Sequence, residues 1–457
     1  MGRAVILKTI GIGILALLLM IPVVMIRDLI SERQSRRNEA VREIAEGWGG
    51  HQVLSGPYVV VPYRRTWTEV ETEKVDGRQK ERRTERVESG LLRLPADAVT
   101  WRVDAATTEK ARGVHRARLF GAKIRAEGSV TIPARYGVAD GDSRYEWSAP
   151  RLVLGVQDPR GIRSLSALEF GAQSVEFVPG AADRVVGNGV HAQLESLLAA
   201  QPRSHAFRFS LDLAGAESFG MVPLANETSL AFASDWPHPS FQGQFLPSSH
   251  EIGGAGFVAR WKVSRYAAQG AERLRACNAV AECRLSNGER LAVSFVEPVG
   301  VYQQLDRASK YGFLFVGLVF ASFFLFELVR RLAIHPVQYA LVGLALAMFF
   351  LLLTALSEHV PFWVAYAAGA AACVGLVTFY VVRVVRSARI GAAFGAALAA
   401  LHGALYLLLK AEDYALLAGS LLLFALLAGL MAGTRRIDWY QLTQGRPAAA
   451  PASPPGA

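Results

Sequence analysis

The chain has 457 residues, 52% of them hydrophobic, with a net charge of +10 and a mean hydropathy of +0.25. That is too apolar for an ordinary soluble protein, and the apolar residues are gathered rather than spread. They fill residues 9–26 and 311–433, leaving between them a polar stretch long enough for a large water-facing domain.

In chain order, residues 9–26 form the first apolar run, close to the roughly 20 residues that cross a bilayer. Arg3 and Lys8 precede it. No small-residue cleavage site follows, because Pro22-Val23-Val24-Met25-Ile26-Arg27 is bulky and then charged, so an uncleaved signal anchor is expected over a secretory signal peptide. The next segment, LISERQSRRNEAVREIAEGWGG, reads as a polar helix that continues the span and stops at Gly47.

Beyond Gly50 the texture is that of strands. YVVVPY (58–63), LLRLP (91–95), VTWRVDA (99–105), AFRFSLDLA (206–214), GFVARWKVS (256–264) and LAVSFVEP (291–298) are short apolar runs, several alternating with period two, between Gly, Pro, Asn and Asp. An antiparallel, sandwich-like domain is expected, with one short helix near VHAQLESLLAA (190–200). Residues 64–88 mix both charges around Asp76-Gly77, which predicts a solvated hairpin ribbon or a partly disordered insertion. Acidic residues interleave its lysines and arginines and it shows no aromatic platform, so no nucleic-acid partner is expected. Cys277 and Cys283, spaced C-x5-C, are a candidate disulfide, and no second cysteine pair or nearby histidine offers a metal set. Cys373 falls within an apolar run and reads as packing.

Five windows in the C-terminal third are long enough to span: 311–329, 337–356, 361–382, 390–409 and 414–433. No lysine or arginine occurs between Arg331 and Arg383, a stretch too long for one span and suited to two joined by a tight turn at Ser357-Glu358-His359-Val360-Pro361. Pro361 suits the start of a new helix. Short cytoplasmic loops collect Lys and Arg. The connections holding Arg330 and Arg331, then Arg383, Arg386 and Arg389, then Arg435 and Arg436, are therefore expected in the cytoplasm. Both chain termini follow them there, and the polar domain falls outside. Against this, Arg27, Arg33, Arg36 and Arg37 follow the first span on the outer side.

The topology sorts the ionisable residues. Arg307, Lys310, Glu358, His359, Glu412 and Asp413 form a candidate periplasmic-face polar cluster, able to clamp or to respond to protons, against the plainer reading of interfacial solvation. Glu327 pairs in helical register with Arg331. His402, about two turns inside its span, is a candidate intramembrane site or a packed neutral imidazole. Small residues in AAGAAACVG (367–375) and IGAAFGAALAALHGA (390–404) predict close helix packing, with self-association as the other use.

RASKYGFLF (307–315), HPVQYALVGLAL (335–346), LSEHVPFWVAY (356–366), EDYALLAGSLLLF (412–424) and TRRIDWY (434–440) closely resemble the CreD family of bacterial inner-membrane proteins. GWGGHQVLSGPYVVVPY, ARLFG, SDWPHPSFQGQFLP and FVEPV extend the resemblance over the polar domain. Two places depart from it. Gln157-Asp158-Pro159 stands before the Arg160-Gly161-Ile162 motif where Ser-Asp is expected, and Gly300 replaces an expected Asp. The resemblance implies six spans, a large periplasmic domain, and a role in cell-envelope integrity and stress under a two-component system. It implies effects on colicin tolerance and β-lactam resistance, without an established enzymatic activity or transported substrate.

The expected architecture is thus a membrane protein with six transmembrane α-helices, one N-terminal and five C-terminal, and a large mainly-β periplasmic domain. Its bounds are an anchor over 1–30, the domain over 31–310, the bundle over 311–433 and a Pro- and Ala-rich, disordered cytoplasmic tail over 434–457. The sequence has no G-x-S-x-G, H-E-x-x-H, Walker or G-x-G-x-x-G motif, so no enzyme, cofactor or metal is expected. A binding or scaffold protein of the envelope, with the lipid bilayer and an envelope protein or cell-wall component as partners, is the reading. A transporter of a small solute or lipid-linked component is the alternative, and homo-oligomerisation stays open.

Overall fold

The computed structural model describes residues 2–410 apart from 76–77, 114, 140, 279–282, 284–288, 296–299 and 331–334, with scattered residues between 417 and 435. The chain divides into two compact units, residues 1–37 with 299–457, and residues 38–298. Helix α1 (Gly2–Glu46) is continuous across the boundary. Its apolar part gives Leu19, Val23, Ile26 and Ile30 to the core of the first unit. Its final turns give Val41 and Ala45 to a cluster with Ala117, Leu119 and Ala216 in the second. It ends before Gly49 and Gly50, whose φ values of 102° and 59° suit a residue without a Cβ. The Trp48 ring then lies between the Lys110 ammonium, at 3.8 Å, and the Arg163 guanidinium, at 4.6 Å.

The second unit runs through β1 (Gln52–Val75), β2 (Arg78–Pro95), β3 (Ala98–Arg112), β4 (His115–Ile132), β5 (Arg144–Trp147), β6 (Arg151–Val156), β7 (Ile162–Leu165), β8 (Leu168–Phe170), β9 (Gln173–Val175), β10 (Phe177–Pro179) and β11 (Gly189–Gln193). It continues with β12 (Arg203–Ala216), β13 (Ser218–Val222), β14 (Glu227–Ser234), β15 (Ser240–Gly243), β16 (Ser249–Gly253), β17 (Gly256–Ser264), α2 (Gly270–Ala276) and β18 (Leu291–Ser294). These strands make two sheets, one ordered β10-β11-β6-β1-β13-β18-β15 with β2 and β5 also on β1, the other β16-β17-β14-β3-β4-β12-β8-β9 with β7 on β12. One apolar core draws on both, with Leu54, Val59 and Val61 of β1 clustered with Trp101 of β3, Phe209 of β12 and Phe232 of β14.

The sheets correct the all-antiparallel expectation: β1 pairs parallel with β13, and β14 parallel with β3. Residues 190–200 are not a helix. Val190 and Ala192 are buried while His191 and Gln193 face outward, so period two wins and β11 forms. The short helix formed within this unit among the described residues is α2, beyond the final turns of α1. Residues 64–75 and 78–88 belong to a long β1–β2 ladder, with Tyr58 opposite Pro95 and Val75 opposite Arg78, and Asp76-Gly77 lies outside the described residues. At its root the fold adds Tyr145 and Trp147 of β5 to the ribbon's own Trp67. Arg65 lies 4.8 Å from the Trp67 ring and 5.9 Å from Tyr145, which stacks on Trp147.

Two of the family-like motifs pack on each other. Gln52, fully buried, donates to the carbonyls of Gly49 and Asp158 at 2.6 and 3.0 Å. A Cβ on Gly161 would stand 2.4 Å from the Ala214 oxygen and from Gln52 Nε2, so the Arg160-Gly161-Ile162 motif needs its glycine for close approach. Asp158, at one departure, still caps this turn by accepting from the Arg160 amide at 3.0 Å. The guanidinium of Arg160 holds its carboxyl below the usual range.

A second buried polar group ties α2 to the sheet. Arg93 donates Nε and Nη2 to the two oxygens of Asp183 at 2.8 and 2.9 Å, and Nη1 to the Cys277 carbonyl at 2.8 Å. Tyr58 donates to Asp183 at 2.9 Å. Burial, and then the Asp183 charge, hold the Tyr58 phenol far above its ordinary value, so it remains a donor. Asp183 is wholly enclosed.

In the first unit, α3 (Val301–Arg330), α4 (Pro336–Ser357), α5 (Phe362–Val385) and α6 (Ala388–Lys410) follow. Four helices among the described residues are long and apolar enough to cross a bilayer: Gly13–Glu46 of α1, α4, α5 and α6. Helix α3 contains the 311–329 window, and the 414–433 window lies mostly outside the described residues, as does the tail. Gly300, the other departure, precedes α3 and accepts from the amides of Gln303 and Gln304. The small residues of α6 meet α5. A Cβ on Gly391 would stand 2.2 Å from Val382 Cγ2, and one on Gly395 2.2 Å from Thr378 Oγ1.

Replacing Asp183 by Ala leaves the Arg93 charge buried and uncompensated. It is expected to destabilise the β-rich unit by about 3–5 kcal/mol. Arg93→Met combined with Asp183→Leu should cost less than Asp183→Ala alone. Urea unfolding of the full chain in detergent, followed by tryptophan fluorescence, checks the order.

Candidate functional site

Ser357, Glu358 and His359 interrupt an apolar run, and the structure gives the three side chains separate surroundings. Ser357 is buried and donates to the Thr354 carbonyl one turn back at 3.0 Å. Glu358 follows the last residue of α4, with its side chain only 15% exposed. It accepts from the Tyr302 hydroxyl of α3 at 3.3 Å and stands 3.7 Å from Arg33 of α1. His359 is exposed, and its backbone amide donates to the Leu356 carbonyl at 3.0 Å.

The same end of the unit holds a second ionic group. Asp306 of α3 lies 3.9 Å from Arg27 of α1 and 2.6 Å from Lys310 on its own helix. Arg27 and Arg33 are two of the cations that resisted the topology. Each faces a carboxylate from another element, so α1 is held to α3 and to the α4–α5 turn by opposite charges close to where its apolar part ends. Arg307 lies beside Asp306 on α3, half-buried, and its Nη1 has no partner among the described residues. Glu412 and Asp413, expected in the same cluster, lie outside the described residues. So do the Glu327 side chain and Arg331.

His402 does not join this group. It is 2% exposed, with the rings of Phe315 and Phe349 edge-on at 4.7 and 4.9 Å. Its Nδ1 lies 2.9 Å from the Leu398 carbonyl. A carbonyl only accepts, so Nδ1 carries the proton and Nε2 the lone pair. Nε2 is buried without a partner among the described residues. The Tyr366 hydroxyl donates to the His402 carbonyl at 2.7 Å. Along α4, Phe350, Leu353 and Thr354 are all buried between the level of Phe349 and Glu358.

In the β-rich unit, Cys277 and Cys283 are bonded to each other, with 5.4 Å between their Cα atoms. Among the described residues no group of three or more His, Cys, Asp or Glu side chains could hold a metal ion. An open cavity of about 850 Å³ lies where β14 ends, lined by small residues such as Ala105, Gly121 and Gly256. Asp104, Lys123, Asp235 and Glu251 bring three carboxylates and one ammonium to it. Asp235 belongs to the SDWPHPSFQGQFLP motif and accepts from the Thr107 amide at 2.9 Å. No signal in the sequence joins these residues, since β3, β4, β14 and β16 meet only through sheet order.

A family model described as Inner membrane protein CreD matches residues 4–440. The chain belongs to the CreD family. It is 32% identical over 433 residues to Inner membrane protein CreD of Escherichia coli strain K12, an alignment covering 93% of this chain and 91% of that one. It is accordingly a multi-pass inner-membrane protein, in keeping with its apolar helices. Among solved structures, an M1 zinc metallopeptidase of Deinococcus radiodurans matches 48% of this chain and 53% of its own at 9% identity and a TM-score of 0.20. At that level the likeness says nothing about activity.

Glu358→Gln is expected to lower the thermal midpoint of the protein in detergent, and adding Arg33→Gln should lower it little further, because both remove one contact. For a partly exposed pair the coupling should be about 0.5–1 kcal/mol. Fully additive losses would show that the two residues act apart.

Proposed function

We propose that the protein is a non-enzymatic binding or scaffold component of the cell envelope, acting in envelope integrity and stress through a β-rich domain on the periplasmic side. On this reading six spans hold it, with both termini in the cytoplasm. The observation that carries the reading is where polar space lies. The 850 Å³ cavity with its carboxylates belongs to the β-rich unit. Glu358 is occupied by Arg33 and Tyr302, and His402 is enclosed by aromatic edges with buried apolar residues between the two levels. A transporter would instead want connected polar groups at membrane depth. A protein that serves by binding needs an accessible grooved surface and a rigid bundle to hold it.

The carboxylates of the groove favour a partner that presents amino or guanidino groups. A photo-crosslinking amino acid at Ile252, half-exposed on the groove wall, tests this in cells. A discrete partner captured from that position, and lost with Glu251→Lys, is the expected result. Absence of any reproducible partner, with the envelope phenotype unchanged in Glu251→Lys, would contradict the reading and favour transport.

A further inference from the structure

Far from the groove motif in sequence, three residues of the β-rich unit form a constellation that no motif announces. His51, just before β1, places Nδ1 2.9 Å from the hydroxyl of Ser218, the first residue of β13. Its other nitrogen, Nε2, stands 3.4 Å from Glu217 Oε2. The fold brings them together for a definite reason. β1 and β13 run parallel with Gln52 opposite Phe219, so His51 and Ser218 are the next pair back in that register. The Ala216 amide donates to the Gly50 carbonyl at 2.7 Å and ties the two approaching segments.

Glu217 is the residue at which the chain leaves one sheet, at the end of β12, and enters the other at β13. In an extended chain, neighbouring side chains point to opposite faces. Glu217 has φ of 60°, a conformation that few residues other than glycine adopt, and its backbone is fixed by bonds to the Arg118 carbonyl and from the Phe295 amide. The alternation is broken there, so the carboxylate of Glu217 and the hydroxyl of Ser218 reach the same imidazole.

The chemistry of the three groups selects one protonation pattern for a neutral ring. A carboxylate accepts only, so Nε2 must carry the hydrogen that faces Glu217. Nδ1 is then the lone-pair nitrogen, and the Ser218 hydroxyl must donate to it. The opposite tautomer would set a lone pair against a carboxylate. This is the arrangement in which a histidine can take the proton of a serine hydroxyl as its oxygen attacks, with the carboxylate steadying the imidazolium that results.

We propose that Ser218 is a nucleophile that accepts acyl groups, with His51 as its general base and Glu217 as the positioning residue. Ser218 Oγ attacks the carbonyl carbon of an ester, forming an Oγ–C bond, while the hydroxyl proton passes to His51 Nδ1. The bond from that carbon to the alcohol oxygen breaks, and the proton leaves with the alcohol. The product is an acyl ester of Ser218. His51 is 60% exposed, so the site is open to acyl donors too large for an enclosed pocket. Stoichiometric capture of this kind is compatible with a binding protein and does not depend on the groove.

The test is labelling of the purified full-length protein in detergent with a fluorescent fluorophosphonate, which forms an Oγ–P bond and releases fluoride. Peptide mass analysis should place the adduct on Ser218, and Ser218→Ala should abolish it. His51→Ala should slow labelling by about 10²-fold or more, with partial recovery on adding free imidazole, which a merely structural role would not give. Glu217→Gln keeps a hydrogen-bond acceptor and should slow labelling without moving the unfolding midpoint. If Ser218→Ala fails to fold, alkylation of the Ser218→Cys variant by iodoacetamide replaces it, and His51→Ala should slow that reaction as well. Labelling of Ser218 no faster than that of the exposed Ser248, or a rate indifferent to His51 in either variant, would overturn the proposal.

Discussion

Opposite charges at one end of the helical unit settle how a chain with arginines after its first span can still be built as a bundle. Arg27 and Arg33 face Asp306 and Glu358, which come from α3 and from the α4–α5 turn. Lipid offers no partner to a cation or to a free peptide group, so both must be satisfied within the protein or at its aqueous rim. Helix α1 meets the first demand with these pairs and the second by staying helical from Gly2 to Glu46. The polar triplet of the α4–α5 turn is part of the same solution. Glu358 joins three elements, Ser357 closes onto its own helix, and His359 is exposed.

Below that rim the unit is packed by aromatic edges and small residues. Phe315, Phe349 and Phe350 surround the level of His402, and Gly391 and Gly395 bring α6 against α5. The β-rich unit solves its own polar problems in other ways. A buried Arg93–Asp183 pair shared with Tyr58 anchors the disulfide-bearing segment, and Gln52 joins the Gly49 carbonyl just beyond α1 to that of Asp158. The β14 groove is open and lined by charged residues, which is why binding rather than passage is the function proposed.

Much of this was legible in the sequence because the governing constraints are local. Hydrocarbon length marks the apolar helices, Gly47 to Gly50 mark the end of α1, and the C-x5-C spacing marks a pair close enough to bond. Alternation located β1, β2, β3, β12 and β17. What escaped depends on pairing across long separations. Nothing local says that β1 takes β13 as a parallel neighbour, that Arg93 meets Asp183, or that Arg33 meets Glu358. Residues 190–200 misled for a different reason, since Leu194, Leu197 and Ala199 suggest a helix although Val190 and Ala192 already alternate with polar residues. The groove and the His51–Ser218 contact lie beyond sequence reading altogether, being products of sheet order and of the corner at Glu217.

The proposed function requires the ionic rim on the outer side of the membrane and the α5–α6 turn on the inner. The direct measurement uses single cysteines at His359 and at Ala388, both exposed, with Cys373 replaced by Ala, and a membrane-impermeant maleimide added to intact spheroplasts. The expected result is rapid labelling at position 359 and labelling at 388 only after the membrane is permeabilised. Labelling at 388 in intact spheroplasts, with 359 protected, would invert the topology and remove the β-rich domain from the periplasm.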